Sequence, residues 1–279
     1  MSPPKRRSVP RVLAARPAVL AVVLGTAAVV AGCAAEPSDP SELSDRKGRP
    51  SGQVTSASPT SPAAAAATQP PVTTVTVTGD LMLGRRVGDR LARVGDPAEA
   101  LRPMVRRLSS ADLTIGNLES TLSRAGAARQ GGDSFAAAPD VRRGLRLAGF
   151  DVLSLANNHV GDFGPQAMVE TVRRVEAGGF LPVGAGGDLA QAAEPAVVER
   201  NGVTFGIVAF DAIGESPAAT SNRPGVLRVR MRPRTGPLVR ADLDRVSRIV
   251  RDLAARVDVV LVLPHWGTQY THVPESSQR

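Results

Sequence analysis

The chain has little cysteine, few aromatic residues and almost no long apolar run. Its 279 residues include one cysteine, Cys33, so no intramolecular disulfide can form. Aromatic residues make up 3% of the chain, and aliphatic side chains must therefore fill any core. There is no internal repeat, and the one long apolar run, residues 17–32, is short for a membrane span of about 20 apolar residues. These absences exclude a collagen-like chain, a coiled coil and a multi-span membrane protein.

Lysine is also scarce, since only two of the 34 basic residues are lysines. The formal net charge of +8 is uneven, because residues 1–33 carry five basic side chains and no acidic one. Residues 73–279 carry a net charge of +4, which is spread along the chain without a basic block. Nucleic-acid binding usually needs clustered basic residues and aromatic stacking partners. We therefore expect no nucleic-acid partner.

The N-terminal segment has the features of an export signal. A basic start is followed by the apolar stretch 17–32, which ends in small residues, and then by Cys33. The sequence Val30-Ala-Gly-Cys33 resembles the bacterial lipoprotein box, in which the cysteine is lipidated and becomes the mature N-terminus. The alternative is an uncleaved anchor helix. We expect residues 1–32 to be a lipoprotein signal peptide that leads to a lipid anchor on the extracytoplasmic face of the cell membrane.

Residues 33–72 differ in composition from the rest of the chain. They are rich in Ser, Pro, Ala, Thr and Asp and include a run of five alanines, residues 63–67. Such a segment buries too little apolar surface to offset the entropy cost of ordering. We predict a disordered tether over 33–72 and one folded domain over 73–279.

The folded part alternates between strand and helix patterns, which is typical of an α/β sheet with helices on its faces. The first strand has valines alternating with threonines and ends at Gly79-Asp80. The other expected strands are 112–115, 151–155, 181–184, 195–199, 203–210 and 257–263, and the expected helices are 86–108, 140–148, 165–178 and 239–256.

Four polar clusters each follow a predicted strand. Ligands of open α/β sheets bind at the carboxyl ends of the strands, so these clusters could converge on one site. Their oxygen and imidazole groups suit a divalent metal ion. Each cluster taken alone also fits a turn, a helix cap or a hydrogen-bonded surface residue. The clusters are Gly79-Asp80, Asn117-Leu-Glu119, Asn157-Asn-His159 and Pro264-His-Trp-Gly267.

Three blocks of sequence carry a family resemblance. They are 79–85, which reads GDLMLGR, 111–119, which includes Asn117-Leu-Glu119, and 148–164, which reads AGFDVLSLANNHVGDFG. Gly184-Ala-Gly186 and His265-Trp-Gly267 continue the match in the same order. Together they resemble the bacterial capsule-synthesis (CapA) family, which is linked to poly-γ-glutamate, over about residues 73–279.

That family is similar to the calcineurin-like metallophosphoesterases, so the resemblance implies a layered α/β/β/α sandwich with a two-metal centre. It implies metal ligands at Asp80, Glu119, Asn158 and His265. It implies that His159 is the catalytic acid/base or stabilises the transition state. The cofactors would be two divalent ions, Mn, Fe, Zn or Mg.

Two departures from the family pattern are present. The chain ends 14 residues after His265, where the family continues into a Gly-His-His-Pro-His-like segment and a closing strand. The resemblance therefore implies a C-terminally truncated domain. Gln269 also stands where the family often has glutamate after His-Trp-Gly.

The resemblance implies a lipid-anchored, metal-dependent, hydrolase-like envelope protein that makes, releases or attaches an anionic polymer such as poly-γ-glutamate. Its partners would be the polymer and proteins of capsule synthesis and export. Arg85 is a candidate for binding the anionic substrate, with a solvated helix-start residue as the equal alternative. The alternative function is a non-catalytic component that binds polymer or partner proteins.

Overall fold

A computed structural model of the chain describes residues 72–279 and the backbone of residues 19–22. The described residues do not include the predicted tether up to residue 71, to which Cys33 belongs. They also leave out most of the predicted signal peptide. Among the described residues, none of the helices combines the length and the apolar character that a membrane span requires.

Ten strands and six α-helices make up the described chain. The strands are β1 (Val19–Val22), β2 (Val75–Asp80), β3 (Leu113–Asn117), β4 (Val152–Ser154), β5 (Leu181–Val183), β6 (Ala185–Gly186), β7 (Ala196–Arg200), β8 (Val203–Asp211), β9 (Gly225–Val226) and β10 (Val259–His265). The helices are α1 (Arg85–Val94), α2 (Val105–Leu108), α3 (Arg142–Leu147), α4 (Gly164–Ala177), α5 (Leu189–Ala192) and α6 (Arg240–Ala254).

The strands form two four-stranded sheets and one small pair. The first sheet has the order β2-β3-β4-β5 and is parallel throughout. The second sheet has the order β1-β10-β8-β7, in which β7 and β8 form an antiparallel hairpin and the other pairs are parallel. Asn201 and Gly202 turn this hairpin with positive φ angles of 52° and 78°, as a two-residue hairpin turn requires. Strands β6 and β9 pair antiparallel.

Alternate side chains of strands β4 and β8 point to different layers. In β8, Ile207 and Ala209 join the core between the two sheets, whereas Val208 and Phe210 pack with helix α6. In the first sheet, Val152 faces the inter-sheet core, and its neighbour Leu153 packs with helices α3 and α4. The layers are therefore α/β/β/α, which confirms the fold class implied by the resemblance.

The predicted helix over 86–108 is wrong. Helix α1 ends at Val94 because Gly95 adopts a left-handed conformation (φ 70°), and Pro97 follows two residues later. The chain becomes helical again only in a 3₁₀ turn, Arg102–Met104, and in the short helix α2. The glycine and prolines are breaker signals that outweigh the helical spacing of the apolar residues around them.

The parallel arrangement places the ends of several strands at one edge. Asp80 at the end of β2 pairs in register with Asn117 at the end of β3. In the second sheet, His265 ends β10 beside Asp211, which ends β8. The polar clusters predicted from the sequence therefore meet at the carboxyl ends of the strands.

The inter-sheet core makes a direct prediction about stability. Ile115 is fully buried between the sheets, and truncating it to alanine leaves a cavity there. We expect Ile115→Ala to lower the free energy of unfolding by about 2–5 kcal/mol, measured by chemical denaturation. The control is Val197→Ala on edge strand β7, where the residue is 50% exposed, and we expect a change within about 0.5 kcal/mol. Equal losses for the two variants would contradict the layered core.

Candidate metal centre

Three of the four predicted metal ligands lie together. Asp80, Glu119 and His265 each offer one ligand atom, and these atoms lie within 4.8 Å of one another. His265 Nε2 is 3.5 Å from Glu119 Oε1, and its Nδ1 is 3.9 Å from Asp80 Oδ1. The side chains of Glu119 and His265 are largely buried, with 14% and 17% exposure, whereas Asp80 is 54% exposed. Carboxylates and imidazole at this spacing suit a divalent cation.

Asn158, the fourth predicted ligand, adjoins the same cluster. Its Oδ1 atom lies 2.9 Å from His265 Nε2. Neighbouring ligands bonded to one ion at about 2.1 Å and at right angles are about 3 Å apart, so the spacing of these two donor atoms fits a shared ion. The residues present therefore match the donor set of a metal centre.

His159 stands beside the cluster in a fixed orientation. Its Nδ1 atom lies 2.8 Å from Asp162 Oδ2, and because a carboxylate only accepts, Nδ1 carries the proton. Its Nε2 atom is 4.0 Å from Glu119 Oε1. Phe135 stacks on the imidazole with ring centroids 3.7 Å apart and planes 12° from parallel. The ring can therefore exchange a proton through Nε2 on the side of the metal ligands.

Asp162 is itself held by several donors. It is buried, and it accepts hydrogen bonds from the Phe135 backbone N–H at 2.7 Å and from Gln130 Nε2 at 2.5 Å. These bonds compensate for the burial of the carboxylate and fix it under His159. The sequence blocks include Asp162, but its role as the partner of His159 comes from the structure.

Asn117 and Asn157 are functional neighbours to which the sequence assigned no specific role. Asn117 Nδ2 donates to Asp80 Oδ1 at 2.7 Å and lies 3.3 Å from His265 Nδ1. Asn157 is fully buried, and its Oδ1 accepts from the backbone N–H groups of His159 and Val160. Its Nδ2 bonds Asn117 Oδ1 at 3.0 Å. The available signal was their position, since Asn117 ends β3 and Asn157 lies three residues after β4.

Arg85 does not join the metal cluster. Its guanidinium carbon lies 5.3 Å from the centroid of the Phe135 ring, and its Nη1 atom is 3.4 Å from Asp133 Oδ1. Phe135 therefore contacts both Arg85 and His159. Arg85 also has a positive φ of 48°, which is rare for a residue with a side chain. Its side chain remains 43% exposed, so it can reach an anionic group outside the protein.

Burial and neighbouring charges shift the pKa values of two of the candidate ligands. Burial raises the pKa of Glu119 to about 7, and the nearby charge of Asp80 adds to this effect. Burial lowers the pKa of His265, although the charges of Asp80 and Asp211 oppose the shift. His265 is therefore neutral at neutral pH, which is the form that binds metals. A bound cation would favour the charged form of Glu119.

The fold and this site define a layered α/β domain with a candidate metal centre at the carboxyl ends of its strands. The family model described as bacterial capsule synthesis protein PGA_cap matches residues 74–279. The chain belongs to this family.

Several known proteins are similar to this chain. A capsule biosynthesis protein CapA of Bacillus anthracis is 29% identical over 210 residues, which are 74% of this chain and 49% of that protein. A "probable polyglutamine synthesis accessory protein" of Mycobacterium tuberculosis is 31% identical over 240 residues. The alignment covers 72% of this chain and 62% of that protein. A PGA biosynthesis protein CapA of Bacillus subtilis is 28% identical over 207 residues. The alignment covers 72% of this chain and 50% of that protein. The chain thus spans 49% to 62% of the length of these curated relatives.

Among solved structures, a Staphylococcus aureus protein provisionally named a 5′-nucleotidase is similar over 71% of this chain and 38% of the length of that protein. The TM-score is 0.37 and the sequence identity is 12%.

The raised pKa of Glu119 predicts how the stability of the metal-free chain depends on pH. The folded state binds the Glu119 proton more tightly than the unfolded state, whose carboxyl has a pKa of about 4.3. The contribution of Glu119 is therefore most favourable below about pH 4 and is lost as the pH rises to about 7. We expect Glu119→Gln to remove this loss, which amounts to about 4 kcal/mol at most.

The measurement is denaturant unfolding at several pH values between 4.5 and 8 in the presence of a chelator. Glu194→Gln, at an exposed position outside the site, is the matched control and should keep the wild-type profile. If Glu119→Gln keeps the wild-type dependence of stability on pH, the pKa of Glu119 is not raised in the folded chain.

Proposed function

We propose that the chain is a lipid-anchored envelope protein with metal-dependent, hydrolase-like activity. It would act in the synthesis, release or attachment of poly-γ-glutamate or a related anionic capsule polymer. The cluster of Asp80, Glu119 and His265, with Asn158 beside it, carries this proposal. The family membership and the names of the relatives, which include capsule biosynthesis and PGA biosynthesis proteins, support the choice of polymer.

The four ligand residues would hold a divalent metal ion, and the resemblance to metallophosphoesterases favours two. Bound metal ions supply an activated water and neutralise charge on the oxygens of an ester, phosphate or related group. The protein's own contribution is the orientation of His159. Asp162 holds its Nδ1–H, and Phe135 fixes the plane of the ring. His159 Nε2 can then deliver a proton to a leaving group or accept one from a nucleophile.

Arg85 is the proposed contact for the anionic substrate. Its guanidinium lies on the same aromatic ring that stacks on His159, so a carboxylate bound there would be close to the proposed proton donor. Arginine suits this role because its planar donors pair with a carboxylate in bidentate geometry.

Metal binding is the first test of the function. We expect Mn²⁺ titrated into the metal-free chain to bind with about one or two ions per chain. His265→Ala removes one ligand and should weaken binding at least about tenfold. The exposed His272→Ala is the matched control and should bind as wild type. Calorimetric titration measures both, and a wild-type chain that binds no Mn²⁺ contradicts the proposed function.

Hydrolysis is tested next on the metal-loaded chain with poly-γ-glutamate and model phosphoesters. His159→Ala should lower turnover by about 10²-fold or more while retaining bound metal. A chain that binds metal and polymer without turnover would favour the alternative, a non-catalytic component of a synthesis and export complex.

We further propose that Cys33 carries the lipid anchor and that capsule synthesis and export proteins are the partners at the membrane. We expect full-length chain expressed in bacteria to incorporate labelled fatty acid and to fractionate with membranes. Cys33→Ser should abolish both the label and the salt-resistant membrane association. Unchanged labelling of Cys33→Ser would contradict lipidation at this residue.

A further inference from the structure

The orientation of the Asn158 amide decides whether this residue can bind a metal. An asparagine offers an acceptor oxygen on one side and a donor NH₂ on the other, and only the oxygen is a ligand for a divalent cation. In the structure, Oδ1 faces His265 and Nδ2 faces away. Some contact must favour this orientation over the flipped one.

Glu215 provides that contact. Asn158 Nδ2 donates to Glu215 Oε2 at 2.7 Å. An ionised carboxylate can only accept, so it bonds Nδ2 and disfavours the flipped amide, in which two oxygens would face each other. We propose that Glu215 is a positioning residue that directs the Asn158 oxygen at the metal centre. This inference rests on the proposed metal-dependent function.

The backbone around Glu215 is held in a strained conformation. Glu215 has a φ of 70°, and the preceding Gly214 has a φ of 107°. A left-handed conformation is unfavourable for a residue with a side chain, so it persists only where other contacts enforce it. This left-handed conformation places the Glu215 carboxylate against Asn158, which lies 57 residues earlier in the chain.

Contacts on both sides of Glu215 enforce this conformation. The fully buried Asp211 accepts from the backbone N–H groups of Ile213 and Gly214 at 3.1 and 3.3 Å. Arg228 Nε lies 2.7 Å from Asp211 Oδ2 as an ion pair, although its N–H does not meet hydrogen-bond geometry. Arg228 also donates to the Ser216 carbonyl. The loop is thus fixed on either side of Glu215.

The contact with Arg234 is too weak to explain the position of Glu215. Arg234 Nη2 lies 3.1 Å from Glu215 Oε1, and the two side chains are 34% and 37% exposed. Ion pairs at such exposure contribute little to stability because water screens the two charges. The hydrogen bond from Asn158, which is 8% exposed, joins Glu215 to the buried part of the site.

The test is Co²⁺ binding to the metal-free full chain, measured by titration and by the visible absorption of the bound ion. Glu215→Ala should weaken Co²⁺ binding about tenfold or more, which is the usual effect of losing a residue that orients a ligand. The absorption bands of Co²⁺ should also change, because they report the ligand set. Glu215→Gln keeps an acceptor oxygen but can also donate, and it should fall between Glu215→Ala and wild type.

Arg234→Ala is the control, because it removes the exposed ion pair and keeps the contact with Asn158. It should bind Co²⁺ within about twofold of wild type. The melting temperature of each metal-free variant shows whether folding is intact, and Glu215→Gln replaces Glu215→Ala if the latter is unfolded.

Wild-type affinity and absorption in the folded Glu215 variants would overturn the inference and leave the metal centre standing. A wild-type chain that binds no Co²⁺ would overturn the metal centre and this inference together.

Discussion

The apolar contact between the two sheets is the interaction on which the site depends. Asp80 ends one strand of the first sheet and Glu119 follows another, whereas His265 ends a strand of the second. Hydrogen bonding within either sheet cannot bring these groups together. The buried side chains between the sheets, such as Ile115 and Ile207, set the distance that allows His265 to reach both carboxylates. Close packing of apolar side chains therefore fixes the spacing of a polar site at its edge.

Around this cluster, side-chain amides do much of the positioning. Asn117 bonds Asp80, Asn157 bonds Asn117 and the backbone of His159, and Asn158 links His265 to Glu215. An amide can donate and accept at once, so it can connect a carboxylate to an imidazole without adding charge. A buried network of this kind is rigid only while its members remain bonded.

The sequence was a good guide to residues at the ends of regular strands. Asp80, Glu119, Asn158, His159 and His265 all lie at the end of a strand or shortly after one, and the structure brings them together, although their roles remain predictions. The helix expected over 86–108 failed because apolar spacing was given more weight than Gly95 and Pro97.

Glu215 could not be found in the same way. It lies in an irregular loop, in a left-handed conformation that no periodic pattern marks, and its partner is distant in sequence. Contacts made by loops depend on tertiary packing, and neither alternation nor helical spacing encodes them.

The unequal exposure of the candidate ligands has a kinetic consequence. Glu119 and His265 are enclosed, while Asp80 is open to solvent at the rim. An ion arriving from solution would exchange its first water molecules for Asp80 and would leave past the same carboxylate. The rim residue would then govern how quickly ions enter, whereas the enclosed ligands would govern how long an ion stays and which ion is preferred. Entry rate and residence time are thus assigned to different parts of one small cluster.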